Sequence, residues 1–227
     1  MRKGGGGKAM EAVDITKQKT AANEKSVFCE KPVYDHFKRL FDIVCSLLAM
    51  IVLSPLLIIT AIAIMAEDFG NPFFIQERIG QNGKAFKMIK FRSMHLNAES
   101  ELEPLLPQNE YQSVHFKMEN DPRITKVGRL IRPVSIDELP QLINVLMGDM
   151  SIIGPRPFIA SEQEQLPDDR LFVKPGLSCY WQIANTTKMS SEEQLELDYR
   201  YIRERSFPTD IKIILKTIVV VFRGKNS

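Results

Sequence analysis

Two adjacent carboxylates, Asp137 and Glu138, stand between apolar residues in the stretch "RPVSIDELPQL". Neighbouring acids raise each other's pKa, and burial adds to the cost, so the pair needs a reason. One reason is chemical. An ionised Asp137 can attack phosphorus and form an aspartyl phosphate, while Glu138 orients a metal or handles a proton. We expect a helix start here, whose dipole, with nearby arginines, keeps Asp137 ionised.

The alternative reason is structural. Asp137 can be the N-cap of a helix whose first turn contains Pro140, where a missing N–H costs little. Ser135 can instead be the cap, with Glu138 as its partner in a capping box. From the residues alone, capping and chemistry both stay open.

Cations in two other motifs can bind phosphate. In "FKMIKFRSM", strand alternation places Met88, Lys90 and Arg92 on one face, where two cations can meet an anion. In "GPRP", two prolines fix the backbone around Arg156, whose bidentate guanidinium suits phosphate. The alternatives are a solvated strand face and a plain surface turn. Four further cations precede the acid pair and can offset its charge or bind phosphate: Arg123, Lys126, Arg129 and Arg132.

Turn signals and helical spacing predict the elements that carry these residues. The Asn-Gly pair at 82–83 predicts a hairpin, and the acidic residues 97–118 predict a helix followed by irregular chain. "KPGLSCYWQI" predicts a turn and then a strand. "SSEEQLELDYRYIRER" predicts an amphipathic helix, capped by Ser190 and Glu193, that carries Asp198. Neither GxxxxGK nor GxGxxG is present, so neither standard phosphate loop is predicted.

Composition narrows the class of protein. The 227 residues can form one domain with an appendage, and the net charge of +2 argues against nucleic acid as a partner. Three widely spaced cysteines without a CxxC pair argue against a disulfide framework and a zinc site, and suit a reducing compartment. Residues 1–31 contain four successive glycines and few large apolar residues, which predicts a disordered basic tail.

Residues 43–66 run for 24 residues without a charge, which exceeds the ~18–20 that a membrane helix needs. Ser54-Pro55 lies at the middle, where proline kinks or breaks a helix and the serine hydroxyl can bond a freed carbonyl. Each half reaches only about 16 Å of the ~30 Å hydrocarbon core. A re-entrant helix, a kinked single span and a buried core helix are the alternatives. Basic residues on both flanks favour re-entry, with both flanks cytoplasmic.

The C-terminal stretch "TDIKIILKTIVVVFRG" predicts a further helix, with Thr209 as its cap and Asp210 in its first turn. Apolar residues recur at helical spacing, while Lys212 and Lys216 share another face. Such a helix either rests in the lipid headgroup region or packs on the domain core.

These segments together resemble the monotopic phosphoglycosyl transferases of the bacterial sugar transferase family. The resemblance covers about residues 34–223, and its most specific block is "NDPRITKVGRLIRPVSIDELPQLINVLMGDMSIIGPRP". It also rests on "FKRLFDIVCSLLAMIVLSPLL", "FKMIKFRSM", "KPGLSCYWQI" and "LELDYRYIRERSFPTDIKIILKT".

The resemblance implies an α+β, mainly helical fold at the cytoplasmic face of a bacterial cytoplasmic membrane. Residues 34–69 would form a re-entrant membrane helix broken at Ser54 and Pro55. Residues 70–227 would form a small cytoplasmic catalytic domain with interfacial amphipathic helices.

The implied activity moves a sugar-1-phosphate from a UDP-sugar to undecaprenyl phosphate with Mg²⁺, releasing UMP and initiating exopolysaccharide, capsule or other glycoconjugate synthesis. By the same resemblance Asp137 is the nucleophile that holds a covalent phosphosugar, and Glu138 is its dyad partner. The two are also the implied contacts of Mg²⁺.

Further roles follow from matched motifs. Lys90 and Arg156 match positions expected to hold phosphates, Arg92 is assigned with them, and Asp198 matches another active-site acid. The implied partners are a UDP-sugar, undecaprenyl phosphate and inner-membrane lipid. Oligomeric state stays open, a homo-oligomer included.

The chain also departs from the family pattern. Members often carry Gly-Arg after "WQ", whereas Ile183-Ala184 follows here, and Pro133-Val134 replaces a Lys-Thr or similar pair before "SIDE". The segment "VHFKMENDPRIT" resembles the exopolysaccharide-initiating branch, which hints at galactose- or glucose-1-phosphate. Two rival functions remain: a membrane-anchored glycosyltransferase that releases UDP, and a non-catalytic membrane-tethered scaffold.

Overall fold

The computed structural model of the protein describes residues 29–101, 104–105, 118, 121–184 and 189–222. Most of the predicted tail, residues 1–31, and most of the acidic stretch, residues 97–118, lie outside the described residues. Where that stretch is described, residues 97–101 form turns, so the helix predicted at its start is wrong there.

The described elements include long helices at both ends of the chain and short elements between them. In chain order they are α1 (Pro32–Glu67), β1 (Phe73–Ile79), a 3₁₀ turn (Gln81–Gly83), β2 (Ala85–Phe91), α2 (Lys126–Ile131), a 3₁₀ helix (Ile136–Glu138), α3 (Gln141–Met147), β3 (Ser151–Ile153), α4 (Ala160–Gln163), a 3₁₀ helix (Asp168–Phe172), β4 (Gly176–Ser178), α5 (Ser191–Glu204) and α6 (Phe207–Phe222).

Helix α1 runs through Ser54-Pro55 without interruption, so the predicted division into two helices at this pair is not observed. Pro55 has no N–H to give to the carbonyl of Ile51, four residues back. The Ser54 hydroxyl donates to that same carbonyl at 2.8 Å. The predicted rescue of the freed carbonyl is confirmed, and it explains how the helix continues past its proline.

Strands β1 and β2 form an antiparallel hairpin in which Phe73 pairs with Phe91 and Ile79 with Ala85. The turn places Asn82 (φ 57°) and Gly83 (φ 76°) in the left-handed region. Asparagine and glycine tolerate that region best, so the predicted Asn-Gly hairpin is confirmed.

Helix α3 is fixed on the hairpin by one buried amide. The Asn144 side chain donates to the carbonyl of Lys87 at 2.7 Å and accepts from the N–H of Ile89 at 3.0 Å. Around it lies a core cluster made of Phe86, Met88, Val145 and Met150. Because the 3₁₀ helix Ile136–Glu138 leads into α3, the contact between α3 and the hairpin also determines which part of β2 lies beside the acid pair.

Strands β3 and β4 pair in parallel, with Ser151 opposite Gly176. A Cβ on Gly176 would lie 2.0 Å from the nitrogen of Gly154, so only glycine permits this approach. The strand predicted in "KPGLSCYWQI" is confined to Gly176–Ser178, and the chain turns at 180–183.

The predicted helix that carries Asp198 is confirmed as α5, with the capping box between Ser190 and Glu193. Helix α6 begins at Phe207, two residues before the predicted cap Thr209, while Asp210 lies in its first turn as predicted.

Helix α6 has a packed face and an exposed apolar face. Ile213 is fully buried in a cluster with Ile153 and Tyr201. On the other side Leu215 is 59 % exposed and Val219 is 48 % exposed. Packing of this helix on the domain core is therefore confirmed for one face, and contact of the other face with the lipid headgroup region stays a prediction.

The start of α1 is bound to the domain that follows it. Tyr34 and Lys38 reach the Asp210 carboxylate at 2.7 and 2.8 Å. Arg39 donates to the carbonyls of Val145 and Leu146 at the end of α3.

The end of α1 is bound to the same domain. Ile64 packs on Phe91 and Ile131, and the Glu67 carboxylate accepts from the first N–H groups of α2 at 2.6 and 2.8 Å. Between Ser46 and Thr60 no side chain of α1 is buried. Among the described residues, α1 is the one helix long and apolar enough to cross a bilayer.

The fold is thus mainly helical, with two two-stranded sheets among the described residues. The prediction of a mainly helical α+β protein with one long apolar N-terminal helix is confirmed at this level. The domain boundaries at 34–69 and 70–227 stay predictions.

Candidate active site

The acid pair lies in the 3₁₀ helix Ile136–Glu138, immediately before α3. Ser135 enters this helix with a left-handed backbone (φ 54°), which is uncommon for serine. The residue that caps α3 is Pro140, and neither Ser135 nor Pro140 makes a side-chain capping hydrogen bond. Asp137 is therefore not the cap of α3, and Ser135 occupies the N-cap position of the 3₁₀ helix without forming the predicted capping box.

Glu138 is bound by two cations at one oxygen. Lys90 Nζ lies 3.1 Å from Glu138 Oε1, and Arg156 Nη1 lies 3.6 Å from it. The side chains of Lys90, Glu138 and Arg156 are 15, 16 and 26 % exposed, so the cluster is enclosed but reachable. Lys90 and Arg156, which were predicted to contact phosphate, thus meet the acid pair at Glu138.

Asp137 lies beside this cluster, and the charges of the cluster affect its pKa. Burial and the neighbouring Glu138 raise the pKa of Asp137 to about 6, while Lys90 and Arg132 oppose the rise. The contribution of a nearby arginine that was expected is present in Arg132, whereas the contribution of a helix dipole stays a prediction. Since the pKa of Asp137 still lies below 7, its ionised form prevails at neutral pH.

The pKa of Glu138 is shifted in the opposite direction. Burial alone would raise the pKa of Glu138, but Lys90 and Arg156 outweigh it and hold the pKa below its ordinary value. Burial lowers the pKa of Lys90, and Glu138 opposes that shift. Adjacent acids with pKa values moved in opposite directions are suited to different tasks.

The loop at residues 154–157 is fixed through its main chain. Four successive carbonyl groups, from residue 155 to residue 158, each accept a hydrogen bond, and their donors are in turn Gly176 N at 2.9 Å, Arg170 Nη2 at 2.6 Å, Arg78 Nη1 at 3.3 Å and Ile79 N at 2.8 Å. The Arg156 guanidinium lies over the ring of Trp181, 5.4 Å from its centroid. The predicted rigid presentation of Arg156 is observed, and main-chain contacts supply it in addition to the prolines.

Asp198 is engaged by another arginine. Arg170 Nε and Nη2 lie 3.1 and 2.8 Å from Asp198 Oδ2, and both residues are almost fully buried. Burial raises the pKa of Asp198 to about 6, and Arg170 opposes the rise. Asp198 therefore reaches the cluster through Arg170, whose guanidinium also binds the carbonyl of Arg156.

Arg92 is placed elsewhere. Strand β2 ends at Phe91, so strand alternation no longer directs the next side chain. The Arg92 guanidinium binds the Asp68 carbonyl, and its Nη1 lies 3.5 Å from the Asp68 carboxylate at the end of α1. Arg92 therefore anchors the end of α1, and its predicted contact with phosphate stays a prediction.

The cations that precede the acid pair also differ in the groups that they affect or contact. Arg132 lowers the pKa of both Asp137 and Glu138, as the prediction of charge compensation requires. Arg123 instead forms a buried fork with Asp121, with contacts of 2.9 and 2.6 Å.

Sequence reasoning missed the roles of Arg78 and Arg170. Arg78 lies 3.3 Å from Glu162, and burial together with nearby Arg156 lowers its pKa to about 10. The hairpin register, which pairs Arg78 with Phe86, was the one available signal for Arg78. Arg170 lies in "PDDRLF", where no local pattern distinguishes it from a surface charge.

The site offers two adjacent carboxylates, Asp137 and Glu138, to a metal. In the part of the chain that the structure describes, no three His, Cys, Asp or Glu side chains gather to hold one. Mg²⁺ needs only one or two carboxylates when water and substrate phosphate complete its shell. The pair therefore fits Mg²⁺ that arrives with a diphosphate and does not form a ready-made cage.

Residues 33–224 match the bacterial sugar transferase family, and the chain belongs to that family. It is 42 % identical over 193 residues to an undecaprenyl-phosphate galactose phosphotransferase of Salmonella typhimurium. It is 36 % identical over 205 residues to the exopolysaccharide production protein ExoY of Sinorhizobium fredii. It is 38 % identical over 202 residues to a UDP-glucose:undecaprenyl-phosphate glucose-1-phosphate transferase of Klebsiella pneumoniae.

The relatives differ in length. The match takes in 82 % of this chain and 40 % of the Salmonella protein, and 84 % of this chain and 41 % of the Klebsiella protein. It takes in 87 % of this chain and 90 % of ExoY. The chain thus spans about two fifths of the longer relatives and nearly all of the shorter one.

Proposed function

We propose that this protein transfers a sugar-1-phosphate from a UDP-sugar to undecaprenyl phosphate and so initiates the synthesis of an exopolysaccharide or related glycoconjugate. The observation that carries the proposal is Asp137, partly accessible and mostly ionised, beside a Glu138 that Lys90 and Arg156 already bind. Phosphoryl transfer asks a protein mainly for positioning and charge neutralisation, which this cluster can supply.

In the first half-reaction the Asp137 carboxylate attacks the phosphorus that bears the sugar. A bond forms between the carboxylate oxygen and phosphorus, and the bond from phosphorus to the bridging oxygen breaks. UMP leaves with that oxygen and its electron pair, and the phosphosugar remains on Asp137. A pKa of about 6 leaves the nucleophile ionised at neutral pH yet more basic than an ordinary aspartate.

In the second half-reaction an oxygen of undecaprenyl phosphate attacks the same phosphorus. The bond between phosphorus and Asp137 breaks, and the product is an undecaprenyl diphosphosugar. Asp137 returns to the free carboxylate, so a single nucleophile serves both transfers.

Glu138 orients the cations. A carboxylate whose pKa is held below its ordinary value is a poor proton acceptor at neutral pH, so orientation fits it better than proton transfer. Lys90 and Arg156 then contact the diphosphate oxygens and neutralise charge that develops on the leaving phosphate.

Mg²⁺ is part of the proposal. The residues that would hold it are Asp137 and Glu138, and when bound it supplies charge neutralisation to the diphosphate. Removal of Mg²⁺ with EDTA should abolish UMP release, and added Mg²⁺ should restore it. Full activity in EDTA would contradict this part.

We also propose that α1 enters and leaves the membrane on its cytoplasmic side. A straight helix would put Arg39 and Ile64 about 37 Å apart. Yet Arg39 is bound at Val145, next to the Asn144 that docks on β2, and Ile64 is bound at Phe91 of that same strand. Both ends are thus received by adjacent elements of one domain, while the apolar middle is exposed, which supports re-entry.

Product analysis tests the proposal against its rivals. Purified protein is incubated with undecaprenyl phosphate, Mg²⁺ and a panel of UDP-sugars, with UDP-galactose and UDP-glucose as the expected donors. Release of UMP supports phosphosugar transfer, and trapping of labelled phosphosugar on the protein supports the covalent step. Release of UDP would indicate a glycosyltransferase, and no nucleotide product with any donor would indicate a scaffold.

A further inference from the structure

Every N–H-bearing nitrogen of the buried Arg170 guanidinium has a partner. Nε and Nη2 bind Asp198 of α5, Nη1 donates to the Gln163 side chain of α4 at 2.9 Å, and Nη2 also donates to the carbonyl of Arg156 at 2.6 Å. The guanidinium lies over the ring of Phe158, 4.5 Å from its centroid. One side chain therefore ties two helices to the loop that presents Arg156.

Such an arrangement is costly to maintain for stability alone. A buried ion pair must offset the desolvation of both charges, and well-packed apolar residues often do as well or better. A planar guanidinium whose three nitrogens all donate, two of them to one oxygen of Asp198, in contrast fixes direction as well as distance. Here the Arg170 guanidinium donates to the main-chain carbonyl of Arg156, the arginine that contacts Glu138.

We propose that Arg170, held by Asp198, is a positioning residue that fixes the Arg156 main chain and thereby aims the Arg156 guanidinium at substrate phosphate. The proposal deepens the phosphosugar transfer proposed above. It gives Asp198 a task different from that of an active-site acid: the carboxylate holds Arg170 and takes no part in bond making.

The test is a double-mutant cycle between Arg170→Lys and Arg156→Gln, scored by kcat and KM for UMP release. Lysine can still pair with Asp198, but as a compact point charge it cannot keep the fork and the other two contacts. Arg170→Lys should lower kcat about 10- to 100-fold. In the double variant it should cost less than about twofold beyond Arg156→Gln, because the residue through which it acts is gone.

A second readout needs no turnover. The chain has one tryptophan, and Trp181 lies against the Arg156 guanidinium. Its emission therefore reports whether Arg156 keeps its place. Arg170→Lys should change the emission in the same direction as Arg156→Gln does.

Arg123→Lys is the matched control. Arg123 is likewise a buried arginine bound to an aspartate, here to both oxygens of Asp121, and its remaining Nη1 donates to the carbonyl of Ala98. This variant should leave Trp181 emission unchanged, and any loss of rate should multiply with that of Arg156→Gln.

Losses of Arg170→Lys and Arg156→Gln that multiply, or Trp181 emission that Arg170→Lys leaves unchanged, would overturn the proposal. If the unmutated protein releases no UMP, the proposed function fails while the emission measurement still decides the positioning role. If Arg170→Lys does not fold, Gln163→Met replaces it, because that change removes one acceptor of Arg170 without altering a charge. The same two outcomes then apply to it.

Discussion

Replacing Asp137 with asparagine should inactivate the protein and at the same time stabilise it. Asparagine is close in shape but cannot form the covalent phosphosugar, so UMP release should fall to background. The change removes no helix cap, because Pro140 occupies the cap position of α3. It does remove a buried charge beside Glu138.

The size of the stabilisation follows from the pKa of Asp137, which is about 6 against an ordinary value of 3.8. The difference of 2.2 corresponds to at most about 3 kcal/mol of unfolding free energy. The folded state binds this proton more tightly than the unfolded chain does. The ionised carboxylate therefore costs its full amount above pH 6, progressively less as pH falls from 6 to 3.8, and nothing below.

The assay compares the unfolding of Asp137→Asn and of the unmutated protein in the same detergent at pH 8 and at pH 4. The variant should be more stable at pH 8, and the gap should close at pH 4. Asp198→Asn is the matched contrast. The pKa of Asp198 is also about 6, but its loss leaves the buried Arg170 without its charge partner, so that variant should be destabilised.

Two results would refute this reasoning. UMP release by Asp137→Asn at a normal rate would remove Asp137 from the chemistry. Lower stability of the same variant at pH 8 would mean that the carboxylate is well accommodated and that its pKa is not raised.

Three further perturbations follow from the same site and from α1. Glu138→Gln should move the acid limb of the pH–rate profile to lower pH, because burial still raises the pKa of Asp137 but the charge of Glu138 no longer adds to it, and should lower the maximal rate; an unmoved limb contradicts this. Arg156→Lys should lower kcat/KM about a hundredfold, because a point charge does not replace a bidentate fork, and near-normal kinetics would reduce the loop to a turn. Replacing Ser54 and Pro55 with leucine should straighten α1, so that its apolar stretch of about 36 Å spans the bilayer, and activity should fall. The position of the tail is measured in intact cells by labelling a single cysteine in the tail, after the native cysteines have been removed. Labelling by an impermeant reagent, in the protein that keeps Ser54 and Pro55, would contradict re-entry.

The parts of the site that sequence could predict are those whose chemistry is local. Asp137 and Glu138 are conspicuous as neighbours, and Arg156 is conspicuous between two prolines, so each was found without knowing its partners. Lys90 was found through strand alternation, which holds up to the end of β2. The contacts of Arg92 with Asp68 at the end of α1 could not be predicted, because they join segments that are far apart in the sequence.

Contacts between residues that are far apart in the sequence could not be predicted from local sequence patterns. Nothing near Arg170 indicates that it meets Asp198, 28 positions along the chain, or that both support Arg156. The extent to which burial raises the pKa of Asp137 was beyond sequence for a related reason. Helix dipoles can be read from sequence, but the burial of a short 3₁₀ helix depends on how α3 docks against β2.

Attachment of α1 to the domain at both ends has a kinetic consequence. In the proposed re-entrant arrangement, attachment at both ends would hold the domain at a constant height over the lipid surface. The proposed acceptor would then reach the site by lateral diffusion in two dimensions. In mixed micelles the rate should follow the surface density of undecaprenyl phosphate, and dilution with inert detergent should slow turnover even when the bulk concentration of acceptor is unchanged.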